Sequence, residues 1–361
     1  MFIVIFASIV ALFFSYLDSI HKMKNGMLWG FVLVTVLAMI HYDYGNDYME
    51  YYAFHKSVTR YESISSILDN SIHRDVGWSI INYLFQYLGG FFVLVATISF
   101  FEGWAFYHTI KMYLPRKLWW FGVFLYLFST SFYLLNFSML RQGLVVAVFL
   151  SLFQLIANRK WWIVAPILYL SSFVHASAFI LIPFAFWGYL PLKNRKVIAL
   201  IFVIVLTLLY ISSELLNQIQ VLAFESSDMF ENYEIYGEND KRLQVGVGFI
   251  LYLIPLIVSV FYLIRQPLSD IEKMIVVFFL ISAFFTPVSQ KLALAGRVGF
   301  YFAVARVIAI PLAYKSIKNN MLRMALILLL LIVYMYDYYS FYNSDVFAPH
   351  YTTFNTIFSV I

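Results

Sequence analysis

Long apolar runs separated by short polar or basic pieces recur from one end of the chain to the other. A helix needs about 20 apolar residues to cross roughly 30 Å of hydrocarbon. On that length scale the pattern predicts about twelve crossings, at roughly 2–17, 27–41, 76–110, 118–135, 139–157, 161–174, 176–191, 197–214, 246–264, 274–290, 297–314 and 323–340. The third is expected to break at Gly89-Gly90, where two glycines interrupt the helical pattern. The alternating pattern of an outer-membrane barrel is absent. The predicted fold class is an all-α polytopic membrane protein, one integral membrane domain over residues 1–361. Residues 42–75 and 214–242 are read as loops carrying short surface helices, because tyrosines and phenylalanine interleave with the charges.

Composition excludes the soluble classes. The chain is 63% hydrophobic and only 12% charged, a balance foreign to globular domains in water. It has no cysteine, so neither a disulfide framework nor thiol chemistry is available. The net charge of +5 is spread over short clusters and forms no continuous patch, which argues against nucleic acid as a partner. Met1–Tyr16 is apolar from its first residue and lacks both a basic leader and an A-x-A cleavage site, so it is read as a retained span.

Charge sets the orientation. Lys22, Lys24, Lys111, Arg116, Lys117, Arg159, Lys160, Lys193, Arg195, Lys196, Arg265, Lys273, Lys315, Lys318 and Arg323 occupy every second loop, 15 of the 24 basic residues. Only Asp18, Asp270 and Glu272 accompany them. The positive-inside rule assigns these loops to the cytoplasm and both termini to the other side. The opposite loops are acidic: 42–75 carries Asp43, Asp47, Glu50, Glu62, Asp69 and Asp75, and 214–242 carries seven further carboxylates from Glu214 to Asp240.

With that orientation, polar residues from distant parts of the chain share the external level. Arg141 opens a span. His175 lies in the turn between two short spans. Arg297 opens another span, and Asp47 and Tyr48 follow the second. A cation at a helix N-terminus opposes the helix dipole, and an arginine near hydrocarbon needs an anionic partner or water. Two such arginines predict an anion site, since guanidinium forks and free helix N–H groups both suit phosphate. Gly296 and Gly299 would open the backbone around Arg297, with Tyr301 one turn away on the same face. The expected ligand is a lipid-linked phosphate or diphosphate. The plainer alternative for each arginine is a membrane anchor, for His175 a hydrogen-bonded turn residue, and for Asp47 a helix cap. Glu102 and Arg306, each near the middle of its span, are expected to neutralise one another. Arg306 is nine residues from Arg297, about 900° of helix rotation, and should face the other way. No Walker loop, Rossmann glycine pattern, nucleophile elbow or H-E-x-x-H zinc motif occurs. No cofactor and no metal is expected.

The ordered set of short motifs resembles the EpsG/Wzy-type family of bacterial polysaccharide polymerases. The pieces are Tyr44-Gly45-Asn46-Asp47-Tyr48-x-x-Tyr51, Arg74-Asp75-Val76-Gly77-Trp78, Arg141-Gln142 with its apolar helix, Phe173-Val174-His175-Ala176-Ser177, Arg297, and Phe347-Ala348-Pro349-His350-Tyr351. His41 stands where the family often has an arginine, and the tail reads Pro-His where the family tends to Pro-Tyr. The resemblance implies a GT-C-like, O-antigen-polymerase-like architecture. It also implies a glycosyltransferase of the inner membrane with its active site facing the periplasm. Such an enzyme moves a growing glycan from undecaprenyl diphosphate to a lipid-linked repeat unit, without a nucleotide sugar. The lipid-linked oligosaccharide is then the partner, beside membrane lipids and a chain-length regulator protein. On this reading His175, Asp47, Arg141 and Arg297 are catalytic. Arg141, Arg297, Tyr48, Tyr51, Gln142, Tyr301 and Arg74 hold the substrate. The rivals are a flippase for the same lipid-linked oligosaccharide and an O-antigen ligase, which differs from the polymerase in its acceptor.

Overall fold

The structure, a computed structural model, describes residues 1–61, 63–69, 75–190, 194–211, 247–289 and 293–359. The predicted loop 214–242 lies outside the described residues, as does Arg74. The helices in chain order are α1 (Phe2–Ser19), α2 (Gly26–Ile40), α3 (Tyr48–Val58), α4 (Ile64–Asp69), α5 (Val76–Leu88), α6 (Gly90–Tyr113), α7 (Trp119–Phe128), α8 (Leu140–Ala157), α9 (Trp161–Val174) and α10 (Arg195–Ile211). They continue with α11 (Val247–Arg265), α12 (Asp270–Ser289), α13 (Ala293–Ala303), α14 (Arg306–Ser316), α15 (Asn320–Tyr342) and α16 (Ala348–Tyr351). Five of these, α1, α6, α8, α12 and α15, are long and apolar enough to cross a membrane, and the bent pair α13–α14 makes six. Shorter apolar helices lie at 26–40, 161–174, 176–189 and 253–265. The protein is an all-α, multi-pass membrane protein.

Among the described residues the predicted apolar runs coincide with helix, but three differ in form. The run at 118–135 is α-helical only to Phe128 and continues as a π-helical turn over Thr130–Leu134. Residues Ala176–Tyr189 form a 3-10 helix with Pro183 inside it, where the missing N–H removes a donor from any α ladder. The expected continuous span at 297–314 is bent by 50° between α13 and α14. Arg306 therefore begins a helix of its own, and the rotation argument relating it to Arg297 does not hold. The break at Gly89-Gly90 is as expected: both glycines have positive φ, 117° and 79°, which only glycine adopts without strain.

Two compact units result, Met1–Ile156 with Lys160–Ala185 and Tyr334–Ile361, and Ala157–Arg159 with Phe186–Val333. In the first, α1 and α2 pack backbone to backbone. A Cβ on Gly26 or Gly30 would lie 2.3 Å from the Phe14 carbonyl oxygen or 2.7 Å from that of Ala11. Small residues at a helix interface are how helices associate where lipid removes the hydrophobic driving force. Buried Ser8, Ser15 and Ser19 satisfy their hydroxyls by donating to carbonyls one turn back, each at 2.8 Å. At one end of this unit Arg116 pairs with buried Asp18 at 2.6 Å, and Asp18 also accepts from the Met27 N–H at 3.0 Å. These contacts bring two of the basic loops together. In the second unit the basic loops also share an end, since Arg195 donates to the Gln266 carbonyl oxygen.

The opposite end of the first unit is closed by the chain's tail. A short antiparallel pair joins His41–Tyr42 (β1) to Asn355–Thr356 (β2), with His41 opposite Thr356. The Gly45 N–H donates to the His350 carbonyl oxygen at 3.2 Å. Tyr44 packs edge-on against Phe137 and Tyr351, ring centroids 5.0 Å apart in both pairs. His41 is buried and donates from Nδ1 to the Ala38 carbonyl oxygen at 2.5 Å.

Candidate active site

Three chain pieces meet at one carboxylate in the first unit. Asp75 stands at the N-cap position of α5, where its carbonyl accepts from the Trp78 and Ser79 N–H groups at 3.0 and 3.3 Å. Its side chain makes no cap hydrogen bond and turns to neighbouring elements. Arg141, the second residue of α8, donates from Nη1 to Asp75 Oδ2 at 2.5 Å. The Ala176 N–H donates to Asp75 Oδ1 at 3.1 Å. His175, which terminates α9, brings Nδ1 to 3.9 Å from Asp75 Oδ2.

Local sequence explains each placement. A Cβ on Gly77 would stand 2.9 Å from the Phe173 carbonyl carbon and oxygen. Only glycine lets α5 come this close to the end of α9, and His175 follows two residues after Phe173. The π-helical turn before α8 leads into a tight turn in which the Ser138 and Met139 N–H groups donate to the Leu135 carbonyl oxygen at 2.9 and 2.8 Å. This turn delivers Arg141. Behind it, Gly143 lies against buried Glu102, whose Oε1 is 1.8 Å from where a Cβ would be. Glu102 belongs to the first unit and Arg306 to the second; within its own unit the Glu102 carboxyl faces Gly143.

Electrostatics decide the character of the site. A guanidinium at a helix N-terminus is opposed by the dipole, and the Asp75 carboxylate offsets that cost through a charge-assisted bond. Breaking such a buried pair by removing one partner typically costs about 3–5 kcal/mol. The Arg141 side chain is still 21% exposed against 8% for Asp75, so the cation keeps an open face while its counter-ion is enclosed. Tyr51 supports the other side, its ring centroid 5.6 Å from the Arg141 guanidinium carbon and 5.5 Å from the Trp78 ring.

The remaining predicted residues fall into place around this centre or apart from it. Asp47 occupies the N-cap position of α3 without a side-chain cap bond, and its N–H donates toward Ser138 Oγ at 3.0 Å. It lies one turn before Tyr51, whose N–H donates to the Asp47 carbonyl oxygen at 3.0 Å. Tyr48 is wholly buried, its hydroxyl donating to the His41 carbonyl oxygen at 3.2 Å, which holds it in the core. Gln142 is buried on α8. Arg297 and Tyr301 belong to the second unit, on α13, with Arg297 exposed and Tyr301 buried. Gly299 serves packing there: a Cβ would lie 2.6 Å from Phe285 Cβ, so the freedom expected to admit a ligand is used by a side chain.

The model of the EpsG family matches residues 26–354. The chain belongs to the EpsG family. It is, in general terms, a membrane polysaccharide polymerase of glycosyltransferase-like type. No curated protein and no solved structure matches it. The match spans the residues that meet at the candidate site, Asp75, Arg141, His175 and Ala176.

Asp75 is the centre that sequence reasoning did not single out. An acid directly before a helix reads as a cap; the informative signal is that a glycine follows it two residues later, which lets α5 approach the end of α9. Gly77→Ala should therefore separate α5 from α9, cost about 1–3 kcal/mol of stability by overpacking, and lower polymerisation on the order of 100-fold through misplacement. The check is polymer output at matched membrane protein level.

Proposed function

We propose that the protein transfers a growing glycan from undecaprenyl diphosphate to the next lipid-linked repeat unit, at the periplasmic face of the inner membrane, within a GT-C-like arrangement of about twelve crossings. In this reaction the bond between the sugar anomeric carbon and the diphosphate oxygen breaks. A bond from that carbon to the acceptor hydroxyl forms, and the hydroxyl proton must leave. The observation that carries the reading is one carboxylate shared between a partly accessible arginine and a histidine.

Arg141 stabilises the departing diphosphate by preorganised charge. His175 accepts the hydroxyl proton as general base, with Asp47 the alternative base. Asp75 holds both: it neutralises Arg141 before the donor binds, and its distance to His175 Nδ1 is short enough for a small rotation to make that bond. A diphosphate oxygen competing for Arg141 frees Asp75 to orient the imidazole and to stabilise the imidazolium. For Arg297 the same assignment to diphosphate rests on its position at a span entrance in the sequence.

The test is a deletion strain and the surface polysaccharide it makes. Loss of the polymer ladder with a single repeat unit retained is the expected outcome. Absence of all surface polymer, with lipid-linked units trapped inside, would indicate a flippase instead, and long chains left on the lipid would indicate a ligase.

A further inference from the structure

A cavity lies in the second unit and is not part of the candidate site. It is a crevice of about 940 Å³ between the end of α11, the 316–319 turn and the start of α15. That volume falls within the ~300–1,000 Å³ of small-ligand sites. We propose that it binds one anionic phospholipid, the headgroup phosphate at Arg265 and Lys318 and an acyl chain along Phe261, Leu322 and Leu326.

Three observations converge on that occupant. First, the walls are mostly apolar and the crevice opens at the surface of this unit beside Phe261, 52% exposed, and Leu322, 60% exposed. From Leu322 to Leu329 the α15 wall runs roughly 10 Å, at 1.5 Å rise per residue.

Second, one end is basic, and among the described residues no acidic one lines the crevice. The Arg265 guanidinium carbon stands 5.4 Å from the Phe261 ring centroid, at the boundary between ring and headgroup. Arg195 reaches the adjacent Gln266 carbonyl. Arg323 donates to the Ile317 and Lys315 carbonyl oxygens at 2.5 and 3.1 Å, which fixes the turn that carries Lys318. The first N–H groups of α15 are already met by Asn319 Oδ1, at 2.8 Å from Met321 N and 3.2 Å from Leu322 N. The cations, not the helix end, are therefore what recognise an anion.

Third, these are the loops that the positive-inside rule assigns to the cytoplasm. The lipid leaflet there is the anionic one, and basic pockets between helices on that side take acidic headgroups. A lipid anion with an acyl chain uses both the basic end and the apolar wall of this crevice, and a free anion leaves that wall unused. The proposal does not depend on the polymerase reading.

Native mass spectrometry of the full chain released from detergent tests it, with phosphatidylglycerol and phosphatidylcholine of identical chains as probes. The wild type should retain one phosphatidylglycerol roughly 10-fold more tightly than phosphatidylcholine. Arg265→Gln with Lys318→Gln should bring the two lipids level. Arg265→Lys should keep the preference, which separates loss of charge from loss of fold, and Leu326→Trp should lower retention of both lipids by filling the crevice. Excess inorganic phosphate should not displace the bound lipid. Equal retention of the two lipids by the wild type, an unchanged preference in the double variant, or displacement by inorganic phosphate would each overturn the proposal.

Discussion

Arg141→Ala should lower the rate of chain growth by roughly 30- to 1000-fold, the loss of about 2–4 kcal/mol of transition-state stabilisation. Part of any effect on protein level comes from Asp75, left buried beside an apolar side chain. Arg141→Lys separates the two. Lysine restores a positive charge for Asp75 but presents a point charge where the guanidinium offers a fork that meets carboxylate and phosphate at once. Normal membrane abundance with a shortened ladder is expected. A lysine anchor would behave otherwise and grow chains of full length. The same comparison at Arg297, which is exposed on its helix, is expected to give the same ordering: arginine above lysine above alanine. Chain-length distribution at matched expression is the measurement.

Asp75→Asn is expected to be at least as damaging, roughly 100-fold or more, because it touches both partners. The amide keeps the size and one acceptor, so the Ala176 N–H bond survives while Arg141 loses its counter-ion and His175 its orienting charge. Two readouts distinguish this from a merely structural role. The acid limb of the pH–rate profile should shift, since an imidazolium without an adjacent carboxylate is less stable. The combined effect of Asp75→Ala and Arg141→Ala should also be far smaller than the sum of the single effects in free energy, because the two groups are in direct contact. Unchanged pH dependence together with additive losses would leave Asp75 only a structural role in joining α5 to α8 and α9.

Much of this arrangement was legible along the chain. The all-helical class followed from apolar length, and Arg141 stood out because a guanidinium at the head of an apolar helix breaks two local rules at once. His175 was visible as the polar residue in a turn between short spans. The Gly89-Gly90 break was legible because glycine pairs punctuate helices. The bend before Arg306 was not, since Val304-Ala305 carries no breaker. Asp75 escaped notice because a carboxylate before a helix has an ordinary explanation, and only its contacts with α8 and α9 show that it is not capping. Tyr48 and Gly299 illustrate the converse. An aromatic or a small residue at the level of the site reads as a ligand contact, yet the three-dimensional neighbours of Tyr48 are His41 and Phe91, and that of Gly299 is Phe285. Sequence position gives depth along the chain's path, not the direction in which a side chain points.

The most direct test of the account places the purified protein in vesicles with undecaprenyl-diphosphate-linked repeat units and no nucleotide sugar, and follows glycan length with time. The wild type should build chains longer than one repeat and release undecaprenyl diphosphate in step. His175→Gln, which keeps hydrogen bonding but does not take up a proton at neutral pH, should leave single units. Growth that requires a nucleotide sugar, or chains of normal length from His175→Gln and Asp75→Asn alike, would contradict it.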